Sequence, residues 1–229
     1  MTDELTNYTG AQPPRREAIH GRWVDLEPLD PAAHGQSLFA AVSAPDGIEE
    51  RFRYLPQTPQ TDRGDFDAWI AEAAAGTDPL FFAVVDRVTR RAVGRQALMR
   101  IDAANGVMEI GQILWGPALS RTRAATEALF LCADLAFARG FRRFEWKCDD
   151  DNAPSKRAAE RFGFTFEGVF RQHLVVKGRN RDTAWFSIID AEWPALRAAY
   201  LEWLNDANFD DRGEQRKGLR ELIAVHRGM

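Results

Sequence analysis

The 229-residue sequence is poor in cysteine, with two, and has no surplus of positive charge: 30 Lys and Arg stand against 34 Asp and Glu, a formal charge of −4. Cys132 and Cys148 each lie inside an apolar segment, with no metal-ligand spacing and no set of partners for a disulfide framework. Both read as buried thiols of a reducing cytoplasm. The acidic balance argues against nonspecific nucleic-acid binding, which draws on a clear basic excess. No apolar run approaches the roughly 18 residues a membrane span needs, and the polar start MTDELTNYTGAQPPRREAIHG shows neither an apolar leader core nor a transit pattern. A cytoplasmic protein with no membrane contact is expected. Walker A, G-x-G-x-x-G, zinc-ligand and G-x-S-x-G patterns are missing. Asp149-Asp150-Asp151 are consecutive, so they do not converge as alternating calcium-loop carboxylates do, and no metal is expected.

What is there is a core-forming composition, 45% hydrophobic and 28% charged, in a length that suits one large domain. Residues 1–20 are polar and read as a flexible arm. Strand-like alternation over 22–29 is followed by Asp30-Pro31, a cap and first-position proline that start a helix. Phe66, Trp69, Ile70 and Ala73 form one stripe of a second helix over 64–75. Three strands with short turns, 80–86, 91–102 and 107–115, suggest antiparallel pairing. A long helix over 122–140 stops at Gly140, and FRRFEWKC (141–148) alternates as a half-buried strand. Asn152-Ala153-Pro154-Ser155 opens a helix that closes at Gly163. Strands over 164–176 and 181–189 follow, joined at Lys177-Gly178-Arg179-Asn180, and helices fill the rest. His34 and His226 fall on helices with no partner in view.

One stretch resists a bland reading. SRTRAATEA (120–128) begins the long helix with two arginines, where the macrodipole already places partial positive charge. Either Arg121 and Arg123 are solvated loop residues, or free amides, hydroxyls and guanidinium groups together form an anion cradle.

This element order, with EIGQILWGP (109–117), SRTRAATEA (120–128) and NAPSKRAAERFGFTFEG (152–168), resembles the GNAT superfamily of acyl-CoA-dependent N-acyltransferases, and within it the RimJ/RimL type. The resemblance spans residues 20 to 190. It implies an α+β fold: a mixed, mostly antiparallel sheet of about seven strands, flanked by helices, with a splay between the fourth and fifth strands. The expected organisation is an arm at 1–20, a transferase domain at 21–190 and a helical extension at 191–229. Past about residue 205 the chain is open to capping the core or to forming a homodimer.

The resemblance implies acetyl-CoA as co-substrate and a primary amine, small or a protein N-terminus, as acceptor. The family's loop reads Gln/Arg-x-x-Gly-x-Gly/Ala; here Ser120, Arg123 and Ala125 stand at those positions, so only the final small residue is kept. Coenzyme contacts are implied for Ser120, Arg121, Thr122, Arg123, Ala124, Ala125 and Thr126. Arg123, replacing glycine, is expected to adopt a backbone a side chain tolerates and to reach phosphate itself. Ile113, Leu114 and Trp115 are implied to line the pantetheine arm, with a backbone N–H near Leu114 for the oxyanion. Asn152 is implied to orient that arm. Many members place a tyrosine where this chain has Ala159, so Ser155 inherits by position the role of protonating the thiolate, against its alternative as a helix-start residue. Glu109 is the carboxylate chosen to take the amine's proton, against an exposed strand-face charge. A non-catalytic acyl-CoA-binding or regulatory module of the same fold is the alternative function.

Overall fold

In the computed structural model, which describes residues 5–228, an eight-stranded sheet separates two helical layers. The strands are β1 (Ile19–His20), β2 (Val24–Pro28), β3 (Leu80–Asp86), β4 (Ala92–Asp102), β5 (Val107–Trp115), β6 (Arg143–Asp149), β7 (Thr165–Val176) and β8 (Arg179–Ile189). Their order is β1-β2-β3-β4-β5-β6-β8-β7, and every pair is antiparallel except β5 with β6. With the two-residue β1 set aside, the seven expected strands are present and the parallel pair joins the fourth to the fifth. One layer holds α1 (Pro31–Val42), α2 (Ile48–Phe52) and α3 (Arg63–Ala75); the other holds α4 (Arg123–Ala138), α5 (Ala153–Arg161), α6 (Trp193–Leu204) and α7 (Leu219–His226).

Local chemistry sets the element ends. The Asp30 carboxylate accepts from the N–H groups of Ala32 and Ala33 ahead of α1, and Asp62 does the same for Gly64 and Asp65 at α3. Buried Glu127 on α4 accepts from the backbone N–H of Arg22, Trp23 and Val24 at 2.7, 2.7 and 3.0 Å, tying the entry of β2 to that helix. At the far end of β5, a Cβ on Gly116 would lie 2.8 Å from both Ala41 O and Val93 O, so only glycine lets the chain turn between α1 and β4 there.

Two expectations need correction. The first 20 residues are not loose throughout: Ala11 N–H donates to Ala103 O and Gln12 N–H to Arg139 O, both at 2.8 Å, and Ile19–His20 pair with β2. Residues 1–4 of the expected arm lie outside the described residues. The helical segment after 190 packs into the same core as the sheet: Trp193 stacks on Phe130 and Phe137 of α4, and Leu219 and Leu222 of α7 are buried beside α5 and α6. Two histidines expected without partners have them: buried His34 faces Glu27 at 3.1 Å, and His226 faces Glu202 at 2.9 Å. Among the described residues no helix is long and apolar enough to cross a membrane.

Candidate active site

The sheet does not stay closed between β5 and β6. Their parallel register runs from Val107↔Arg143 to Ile110↔Trp146 and stops, so β5 beyond Ile110 has no strand partner on that side. A bulge lies at the point of parting. Gln112 has φ 53, and between Gly111↔Ala97 and Leu114↔Arg95 three steps on β5 match two on β4. A Cβ on Gly111 would meet Met99 Sδ at 2.6 Å, so a larger residue there would have to displace the Met99 side chain of β4. The bulge is held from inside: Arg95, fully buried, donates from Nη1 to Gln112 O at 2.8 Å.

A cavity of about 670 Å³ occupies the opening and reaches both sheet faces. From the α4 side it is lined by Arg121, Trp146, Cys148, Asn152, Pro154 and Ser155; from the α2 side by Arg51, Tyr54, Arg100, Glu109, Lys147, His173 and Arg181. Two bonds close its outer wall, Tyr54 Oη to Asp151 O at 3.1 Å and Lys177 Nζ to Phe52 O at 2.9 Å.

At the α4 end, Thr122 is the N-cap: its hydroxyl accepts from Ala125 N–H at 3.2 Å and donates to Leu119 O at 2.6 Å. The N–H groups of Arg123 and Ala124 have no backbone acceptor, as the first turn of a helix requires. Arg121, not Arg123, carries the unusual backbone, with φ 64. Arg121 lines the cavity and makes no ion pair among the described residues. The Arg123 side chain departs from its expected phosphate contact. It turns away, lying 4.2 Å from the Trp23 ring centroid and 3.7 Å from that of Phe209, with Asp206 at 3.1 Å. Desolvation lowers its pKa, and Asp206 partly restores it. Only its backbone N–H remains at the helix start.

The other loop and strand positions act through backbone or packing. Ser120 is exposed and donates to Trp115 O at 3.2 Å. Ala125 is buried; Thr126 accepts from Arg161 at 3.2 Å. Ile113 lines the cavity, while the Leu114 side chain enters the α1–α3 core and Trp115 donates from Nε1 to Gln96 at 3.1 Å. Ala124 is half-buried at the helix start.

Asn152 and Ser155 are brought together at the start of α5. Asn152 Oδ1 accepts from Ser155 N–H at 3.1 Å, capping the helix. Trp146 Nε1 donates to Ser155 Oγ at 3.0 Å. That bond uses an oxygen lone pair and leaves the hydroxyl proton free to be donated. Cys148, alongside, has its pKa raised by burial, so it stays a thiol.

Glu109 is buried, not on an exposed strand face. Its Oε2 lies 3.0 Å from Lys147 Nζ and 3.3 Å from Arg100 Nε, yet receives no aligned hydrogen bond. Burial raises its pKa against the opposing pull of Lys147 and Arg100. Lys147 is the residue the sequence reading missed: buried, it also reaches Glu145 at 2.8 Å and lies 3.8 Å from the Trp185 ring centroid. Its strand parity with Arg143 and Glu145 marks a polar face, but only the register of β5 on β6 brings it to Glu109.

With this geometry in place, the comparisons decide the family. The acetyltransferase (GNAT) domain model matches residues 24–165. The chain belongs to the GNAT acetyltransferase family. It is 55% identical, at a TM-score of 0.93, to the crystal structure of a GCN5-related N-acetyltransferase from Brucella melitensis, over 96% of this chain and 99% of that one. It is 42% identical, at a TM-score of 0.78, to a probable GNAT-family acetyltransferase from Chromobacterium violaceum, over 85% of this chain and 96% of that one. An uncharacterized N-acetyltransferase p20 from Bacillus licheniformis is 28% identical over 149 residues, 62% of this chain and 81% of that protein. The GNAT fold is thus shared with solved relatives, and acetyl transfer is the chemistry of the family.

Proposed function

We propose that the protein transfers the acetyl group of acetyl-CoA to a primary amine by direct attack in a ternary complex. The observation that carries this reading is the through-sheet cavity, which has Arg121, two residues ahead of the free amides that start α4, at one end and a buried carboxylate at the other. Free N–H groups of Arg123 and Ala124 together with the Arg121 guanidinium suit a diphosphate. The unpaired edge of β5 past Ile110 suits the amides of a pantetheine arm, which would add to it as a strand does.

The chemistry then needs the nitrogen to lose two protons and the sulfur to gain one. An ammonium has no lone pair, so the acceptor must lose a proton before its nitrogen attacks the thioester carbon. Glu109, directly or through water, is the base: burial raises its proton affinity, and its Oε2 lacks an aligned donor. As the C–N bond forms, negative charge gathers on the carbonyl oxygen, to be met by a backbone N–H near Leu114. When the C–S bond breaks, the thiolate takes the Ser155 proton, and the second proton leaving the acetylated nitrogen restores the Ser155 hydroxyl through water.

The RimJ/RimL resemblance adds the acceptor classes, a small amine or a protein N-terminus. A coenzyme-binding module without turnover is favoured by one observation: buried Ala159 leaves no hydroxyl where many relatives carry tyrosine. Calorimetry with acetyl-CoA and desulfo-CoA, followed by thiol release across amines and peptides, tests both. No heat with either ligand removes the coenzyme reading; binding without thiol release for any amine leaves the module.

A further inference from the structure

On the α2 side of the cavity, Arg181 has neither an acid nor a carbonyl against it among the described residues. Arg181 on β8 lines the cavity, and its Nε is buried without a hydrogen-bond partner. Among the described residues its guanidinium makes no ion pair. The other charges there are already satisfied. Arg51 donates to the carbonyls of Val42, Ala44 and Asp46 at the end of α1. Arg100 and Lys147 face Glu109, and Glu50 pairs with Arg53. The nearest acid in sequence, Asp182, turns to the opposite side, accepting from Gln172 N–H and Asn180 Nδ2 at 2.8 Å each.

Register places Arg181 with the acceptor and not with the coenzyme. On β8, Thr183 and Trp185 lie opposite Asp149 and Lys147, the strand face of Glu109's partner, and Arg181 continues that parity. Ser155, Trp146 and the α4 amides are reached from the other face. Leu174 of β7 lies directly opposite Arg181, and Tyr54, Leu55, Pro56 and Met99 supply apolar surface elsewhere in the cavity lining. Its buried Nε is a donor without an acceptor, which an anion entering the cavity would satisfy.

We infer that Arg181 is the acceptor-binding cation, and that the acceptor is an amine joined through an apolar body to an oxyanion, a carboxylate or a phosphate. This rests on the transferase reading above. It disfavours polyamines as acceptors, because their second ammonium would lie against the Arg181 guanidinium. It also sets a direction for the bound acceptor, with its anion at the β7–β8 hairpin and its nitrogen toward Glu109.

The test compares matched amines on the whole protein: phenylalanine, phenylalaninamide and phenethylamine for a carboxylate, O-phosphoethanolamine and ethanolamine for a phosphate, with spermidine and a free-N-terminus peptide alongside. At least one anionic member should exceed its neutral counterpart tenfold or more in kcat/KM, the better arm naming the oxyanion. Arg181→Met should shrink that ratio to within about twofold of unity while calorimetry shows acetyl-CoA still bound. A ratio that survives in Arg181→Met, or a preference for spermidine, neutral amines or the peptide, overturns the assignment. If coenzyme binds but no amine reacts, binding of N-acetylphenylalanine against N-acetylphenylalaninamide to the CoA-loaded protein decides: tighter binding of the acid that disappears in Arg181→Met supports it, and equal or no binding refutes it. Loss of acetyl-CoA binding by the unaltered protein sinks the transferase reading instead.

Discussion

Arg95 holds the β5 bulge through a single bond, Nη1 to Gln112 O at 2.8 Å, while its own charge is met by rings alone, Trp69 at 4.4 Å and Phe81 at 5.4 Å. Nε and Nη2 are buried and unpartnered, and burial pushes its pKa down to about 9. A side chain so expensive to desolvate is explained by the strand shape it fixes. Arg95→Ala should cost about 3–5 kcal/mol, as a large core truncation does. Arg95→Met keeps most of the volume and removes the buried charge, so it should lose no more than about 1–2 kcal/mol, chiefly the orphaned Gln112 carbonyl. Urea midpoints check the stabilities. Acetyl-CoA affinity should fall in the Met variant even so; an unaltered affinity would mean the bulge does not need Arg95.

The sequence shows the elements of this site more readily than their meeting. Alternation and Pro117 mark β5 residue for residue, and Asp30, Asn152 and Gly140 mark helix ends, because caps and strand parity are local. Lys147 pairing with Glu109 was illegible because it depends on the register of two strands separated by α4. The short α2, five residues after left-handed Gly47, shows no apolar period, though it forms a cavity wall. The surroundings of Arg123 are hidden for the same reason as those of Lys147: Trp23, Asp206 and Phe209 come from both ends of the chain.

The two arginines of the loop therefore separate. Arg121→Ala should weaken acetyl-CoA binding by about 1–3 kcal/mol, the loss of a charge-assisted contact, measured as Kd by calorimetry. Arg123→Ala should show its loss in thermal unfolding, about 1–2 kcal/mol, since a cation between two rings is removed. The reverse pattern would return phosphate binding to Arg123.

Glu109 predicts a pH profile. A base must be deprotonated to act, so kcat falls as pH drops through its pKa, and burial places that acid limb above the ordinary carboxylate range. Arg100 pulls the pKa down, so Arg100→Ala should move the limb to still higher pH. Glu109→Gln should abolish the limb and lower kcat by about 10²–10⁴. If the limb stays in place in Glu109→Gln, another group takes the proton.

Ser155 gives a prediction that splits turnover from binding. Its hydroxyl accepts from Trp146 Nε1 and faces the cavity beside Asn152. As proton donor to the thiolate, it matters only while the C–S bond breaks, when the leaving sulfur gathers charge. Ser155→Ala should therefore lower kcat by about 10² or more with acetyl-CoA affinity kept within a few-fold. The defect should shrink with thioesters whose thiols are more acidic, because a better leaving group needs less help from a proton. Equal losses in kcat and affinity, or a defect indifferent to the leaving thiol, would make Ser155 a residue that only seats the coenzyme and orients Trp146.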